Sequence, residues 1–237
     1  MYDIRGYNPI TGKKYLEFAN DYLTKRGSFT LADAVKDEKA FDLMSVKYII
    51  CPNESGCLFE TKDEEWKKEY EDDNVSIYQN PHFLPRAYIA YDYLPGNASE
   101  TIKLSKDGAI DIYSQVEIDN LPDNIFAKQP GQSIKKAEIV KYSANEVVVK
   151  TQTDKKGILV LTDYYDDGWQ VQVNNKAEPL LSANDIFRGV VVPAGESEIV
   201  FNYLPGNFYL YLFISIGGLV GLIGTSLGLL YLKQKRR

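Results

Sequence analysis

From Tyr209 to Leu232 the chain runs for 24 residues without a formal charge, YLYLFISIGGLVGLIGTSLGLLYL, and then closes on Lys233, Gln234, Lys235, Arg236 and Arg237. A helix of that length spans about 36 Å, more than the roughly 30 Å hydrocarbon core of a bilayer. Tyr209 and Tyr211 at one end and Tyr231 at the other occupy the positions of an aromatic belt. Four cations within five residues mark the cytoplasmic side. A buried helix of a large soluble protein is the competing reading, but such helices are rarely this long or so cleanly flanked. The expectation is a transmembrane helix over 208–232, a cytoplasmic basic tail over 233–237, and residues 1–208 on the outer side of the membrane.

That orientation raises a difficulty. The N-terminal stretch MYDIRGYNPITGKK has no apolar h-region and no small-residue cleavage site, so it does not read as a signal peptide. A domain of some 200 residues then needs other spans to carry it out, and the chain reads as the C-terminal piece of a longer polytopic protein. Gly217 and Gly221 form one GxxxG, and Gly224 and Gly228 repeat it seven residues later on nearly the same face. Small residues at that spacing let helix backbones approach closely in lipid, so neighbouring helices are expected partners besides the bilayer itself.

All 33 acidic residues and 23 of the 27 basic ones precede the span, so the outer part carries a formal charge of −10. Nucleic acid is excluded as a partner, since its binders need a basic face, and so is a polybasic membrane-surface mechanism. Cys51 and Cys57 bracket the loop CPNESGC; in an oxidising exterior they are a candidate disulfide, with free thiols the open alternative. The spacing is not that of a zinc site, and the single histidine, His82, has no second metal-type cluster near it in sequence. No metal and no cofactor is expected.

Along the chain, apolar positions at helical spacing predict a helix over about 9–25 and a second over about 31–44. Val46–Cys51 reads as a buried strand closed by Pro52. Residues 60–73 are charged, with Trp66 and Tyr70 at i,i+4. Val75–Tyr78 and Arg86–Tyr91 read as two more strands. Beyond residue 96 the texture changes to short strands with turn residues about every ten positions: Val147–Val149, Ile158–Leu161, the alternating WQVQV from Trp169, Val190–Val192 and Glu198–Tyr203, with a hairpin turn at Asn174-Asn175-Lys176. The expected fold is α+β: a small extracellular α/β region over 1–95, an antiparallel β-sandwich over 96–207, and the single C-terminal transmembrane helix.

Catalytic constellations are absent from the sequence: no Gly-rich phosphate loop before a helix, no GxSxG, no HExxH. The pairs Asp166-Asp167 and Asp72-Asp73 suit turns better than catalysis. The most distinctive stretch is Thr162–Trp169, TDYYDDGW. Tyr164, Tyr165, Asp166 and Trp169 are candidate substrate-binding residues if it is an aromatic sugar platform. The structural alternative, which is preferred, is a strand, a tight turn and Trp169 as the first inward residue of WQVQV, a core anchor.

The ordered series DIRGY (3–7), LMSVKYII (43–50), IYQN (77–80), LPRAY (84–88), LVLTDYYDDGW (159–169), RGV (188–190), VPAG (192–195) and FNYLP (201–205) resembles the C-terminal part of the bacterial YfhO-type membrane proteins, nearly end to end. One departure is Asp166-Asp167-Gly168, where the family pattern has a Pro-Gly turn. These large polytopic proteins are similar to GT-C glycosyltransferases. The resemblance implies transfer of a sugar from a polyprenyl-phosphate donor, on the outer face of a bacterial cell membrane, to a cell-envelope glycopolymer such as lipoteichoic acid. The catalytic carboxylate of GT-C enzymes belongs to an early outer loop, so the resemblance assigns no catalytic residue here. The alternative class is a non-catalytic, membrane-tethered envelope-binding or structural protein with a carbohydrate-binding-like sandwich.

Overall fold

The structure is a computed structural model, and it describes residues 13–18, 21, 38–54, 66–96, 101–119, 125–206 and 208–235. Two short helices, α1 (Lys13–Phe18) and α2 (Glu38–Leu43), precede strands β1 (Tyr48–Pro52), β2 (Lys67–Glu71), β3 (Val75–Gln79), β4 (Ala87–Ala90) and β5 (Asp92–Gly96). Helix α3 (Thr101–Lys106) leads to β6 (Gln115–Asp119), β7 (Lys135–Lys136), β8 (Glu138–Tyr142), β9 (Glu146–Thr153) and β10 (Gly157–Tyr164). The chain continues through β11 (Trp169–Val173), β12 (Lys176–Glu178), β13 (Leu181–Ala183), β14 (Phe187–Val192) and β15 (Gly195–Tyr203) to helix α4 (Phe208–Lys235).

These strands form three sheets: β1-β3-β2, the seven-stranded β5-β6-β13-β14-β10-β4-β7, and the five-stranded β12-β11-β15-β9-β8. The two larger sheets pack face to face. Ile89, Leu159, Leu161, Val190 and Val192 of the seven-stranded sheet share one core with Val147, Val149, Val171, Ile199 and Phe201 of the five-stranded one. The other face of the seven-stranded sheet is also covered: Tyr88, Ala90, Ile158, Val160 and Phe187 pack with Phe18 of α1, Leu43 of α2 and Ile102 of α3. A strand buried on both faces needs an apolar residue at almost every position, and the run ILVL in β10 meets that requirement. In β11 only one face is buried, so Gln170 and Gln172 lie exposed between Trp169, Val171 and Val173. The Asn174-Asn175 turn that closes the β11–β12 hairpin has φ of 51° and 63° at its two central residues, as a primed hairpin turn demands.

The antiparallel expectation holds for every described strand pair except β5 with β6, which run parallel and are joined through α3. The seven-stranded sheet takes strands from both sides of residue 95, because β4 and β5 pair with β10 and β6. Two local readings are corrected. The strand at 46–51 begins at Tyr48 and alternates exposed and buried, so it covers one face only. Its buried residues Ile49 and Cys51 meet Phe41 and Trp66 in a small separate core. The i,i+4 relation of Trp66 and Tyr70 is not used. Lys67–Glu71 is an exposed edge strand, and Trp66, just before it, is buried edge-on against the Phe41 ring at 6.4 Å. The expected helices over 9–25 and 31–44 fall partly outside the described residues; the described parts are α1 and α2, and α2 ends where Ser45 turns to φ 59°.

Leu159 is wholly buried between the two large sheets. Its replacement by Ala should cost about 2–5 kcal/mol, read from urea unfolding of the full chain in detergent; a cost below about 1 kcal/mol would show that the two sheets are not held by this core.

Candidate functional site

Parity along the strands sets which side chains enter the space between the two large sheets. Asp163 follows Leu159 and Leu161 on β10, and Arg188 precedes Val190 and Val192 on β14, so both charged residues point inward at the end of the sandwich where β15 finishes. A buried charge needs a partner. The Arg188 Nη2 donates to Asp163 Oδ2 at 2.8 Å, and Arg86, just before β4, donates to Asp163 Oδ1. Tyr142, at the end of β8, accepts from Arg86 Nη2 at 3.0 Å and donates to Asp163 at 3.3 Å. One carboxylate thus joins two cations and a phenol across the two sheets.

Arg188 is 3% exposed, and among the described residues its Nε and Nη1 have no hydrogen-bond partner. Aromatic faces stand where acceptors would be: the guanidinium carbon lies 3.8 Å from the centroid of the Trp169 ring and 5.7 Å from that of Phe201. Such desolvated cation–π contacts contribute about 2 kcal/mol. Burial lowers the Arg188 pKa to about 10, against the opposing pull of Asp163, so the group stays charged at neutral pH. Burial raises the Tyr142 pKa, and the Asp163 carboxylate adds to the rise.

Trp169 is therefore not the fully buried anchor expected. It is half-buried, one face over Arg188 and the ring 5.2 Å from that of Tyr203. The preceding turn fits tightly beneath. The Asp166 carboxylate accepts the Gly168 N–H at 2.8 Å, and the Asp166 carbonyl accepts the Trp169 N–H at 3.0 Å. A Cβ at Gly168 would stand 2.7 Å from the Tyr203 ring, so only glycine lets that ring close over the turn. Asp166 and Asp167 are exposed, and Asp166 shapes the turn.

The other candidates point elsewhere. Tyr164 packs into the core on the opposite face of the seven-stranded sheet, edge-on to Tyr15 at 6.2 Å. Tyr165 donates its backbone N–H to Ile186 at 2.7 Å, and Lys14 sits 5.9 Å from its ring. Burial raises the pKa of both phenols, with the Asp pair contributing. Tyr164 and Trp169 are thus divided by the sheet, and the four residues do not make one continuous platform. Cys51 is buried and disulfide-bonded; Cys57 lies outside the described residues. Among the described residues no three His, Cys, Asp or Glu side chains are grouped to hold a metal ion.

Helix α4 is 28 residues long, apolar, and unburied along its length. A Cβ at Gly217, Gly221, Gly224 or Gly228 would meet nothing within 4 Å, so their common face is open. The hydroxyls of Ser215, Thr225 and Ser226 each donate to a carbonyl one turn back, at 2.8–3.0 Å, so none is left unsatisfied in an apolar medium.

A family model described as bacterial membrane protein YfhO matches residues 97–215, half of the chain. The chain belongs to the YfhO family. The matched stretch begins just before α3, includes the whole five-stranded sheet with Asp163, Trp169 and Arg188, and ends two turns into α4. The chain is also 21% identical over 179 residues to a Bacillus subtilis (strain 168) protein called uncharacterized protein YfhO, a match covering 72% of this chain and 20% of that relative. It thus spans about a fifth of the length of the curated relative it matches. No solved structure matches it. As a YfhO-family member with an apolar helix long enough to cross a bilayer, it is a membrane protein.

Arg86, Asp163, Tyr142 and Arg188 were not among the sequence candidates. The signal was there in parity: a charge at an inward position of an otherwise apolar strand requires a partner.

A double-mutant cycle tests the stack. Trp169→Ala should destabilise the chain by about 3 kcal/mol, and by about 1–2 kcal/mol less when Arg188 is already Met. Equal losses in both backgrounds would show that the ring does not act through the guanidinium.

Proposed function

We propose that this chain is the extracellular C-terminal region and last span of a longer YfhO-type protein that transfers sugars from a polyprenyl-phosphate donor to a lipoteichoic acid-like envelope glycopolymer, and that it positions or scaffolds the acceptor while other parts of the protein perform the chemistry. The observation that carries this reading is the join between sandwich and span. Only residues 204–207 separate β15 from α4, at most about 18 Å from Tyr203 to Phe208. The Leu204 N–H donates to the Gly168 carbonyl at 2.7 Å, and Tyr203 closes over the same turn. A domain fastened so closely to an apolar helix works at the membrane surface. The fivefold greater length of the curated relative agrees with a parent protein supplying the remaining spans. Against enzymatic chemistry in this segment stands the placement of its buried carboxylate: Asp163 is committed to two arginines and a tyrosine.

Two measurements test the reading. Protease added to intact spheroplasts should digest residues 1–208 and spare a tag placed after Arg237; protection of the domain would overturn the proposed orientation. Replacing Gly221 and Gly224 by Leu keeps the helix apolar but blocks close approach of another backbone. Insertion should be unchanged, while envelope glycosylation by the full-length protein should fall, with Leu219→Ile as the silent control. Normal glycosylation by the leucine variant would favour a simple non-catalytic tether.

A further inference from the structure

At the end of the sandwich opposite the Arg188 cluster, where β15 begins, lies a groove of about 600 Å3, within the size range of small-ligand sites. It stands six residues up β15 from Tyr203, roughly 20 Å along the strand. Ligand sites of this size are usually walled by apolar and aromatic side chains; this one is walled wholly by polar ones. It holds three lysines and three glutamates, Lys150 and Glu198 among them, and four uncharged polar residues, Thr151, Gln152, Asn174 and Ser197.

The charges balance, and strand register interleaves them: Lys150 on β9 lies between Glu138 on β8 and Glu198 on β15. Opposite charges facing across strands satisfy one another, so the groove presents no net field to attract a polyanion or a polycation. With no aromatic wall it offers no stacking surface for a nucleobase. What remains is a dense set of hydrogen-bond donors and acceptors, part of it pre-positioned. Asn174, held in the hairpin turn at φ 51°, donates to Ser197 Oγ at 3.1 Å and accepts the Glu198 N–H at 3.0 Å. Thr151, in the groove wall, is 5% exposed, and among the described residues its Oγ1 has no hydrogen-bond partner. Buried hydroxyls are nearly always paired, and one left over in a ligand-sized groove marks a contact still to be made.

We infer that this groove binds a neutral, polyhydroxylated ligand, a saccharide segment, through Thr151, Gln152, Asn174 and Ser197. Sugar hydroxyls both donate and accept, which matches a wall mixing amides, hydroxyls, carboxylates and ammonium groups. The inference does not depend on sugar transfer by the parent protein.

The test uses the full chain in a zwitterionic detergent without sugar headgroups, titrated with maltotriose, cellotriose and chitotriose while backbone amide shifts are followed. At least one trisaccharide should bind saturably, with shifts concentrated at 150–152, 174 and 196–198. Thr151→Val keeps the side-chain volume and removes the unpartnered hydroxyl, so the Tm should hold or rise while affinity falls about tenfold. Gln152→Ala, at an exposed position, should leave the Tm unchanged and weaken binding several-fold. The inference is overturned if none of the three sugars shifts those amides, if both variants bind as the parent does, or if polyphosphate or a charged peptide binds there and the sugars do not. Sugar binding that persists in a protein shown to have no transferase activity would remove the function proposed above and leave this groove standing.

Discussion

The central sheet has no wet face. One side packs against the five-stranded sheet and the other against α1, α2, α3 and the loops between them, and most of the remaining architecture follows. Strands such as β10 must be apolar almost throughout. Hydrogen-bonding groups stranded inside must find one another, as Asn184 finds the Tyr88 hydroxyl at 3.0 Å, and Thr101 finds Glu117 and Asp185. Each such pairing fixes which loop may cover which part of the sheet, because a buried polar group left alone costs about 1–3 kcal/mol.

The same constraint explains the Arg86–Asp163–Arg188 cluster. Two cations against one anion would be a poor way to stabilise a core, since desolvation offsets the attraction. The aromatic faces of Trp169 and Phe201 change the balance by covering the guanidinium edges that Asp163 does not reach. Trp169 is in turn held by the Gly168 turn and Tyr203, the last residue of the strand that leads to the anchor. Packing inside the sandwich and the path of the chain into the membrane are thus joined through one glycine and three rings. The opposite end has no such plug. Its polar groove is open to solvent, and the two ends of one domain are chemically unlike: charge under aromatic cover near the span, balanced polar groups away from it.

Much of this was legible from short-range pattern. The span needed only length and the absence of charge; β11 needed only alternation; the β11–β12 hairpin needed only two asparagines able to adopt positive φ. Local pattern misled where a distant partner decided. Trp66 and Tyr70 have helical spacing, yet pairing with β3 drew Lys67–Glu71 into a strand. Ile49 and Ile50 look equally buried in sequence, but β1 has a core on one side only. The candidate residues Tyr164 and Trp169 are five positions apart and lie on opposite sides of the central sheet, because the turn at Asp166–Gly168 carries the chain from one large sheet to the other.

By itself, then, the sequence determined the anchor, the strand-rich character and the places where the chain turns, since hydrophobic length, period and turn chemistry act between residues close along the backbone. Tertiary structure decided the rest: that β4 lies between β10 and β7, that β5 and β6 run parallel, and that Arg86 meets an aspartate 77 residues away. Such contacts depend on which faces are buried against each other, and a buried face is a property of the assembled layers that no single strand carries.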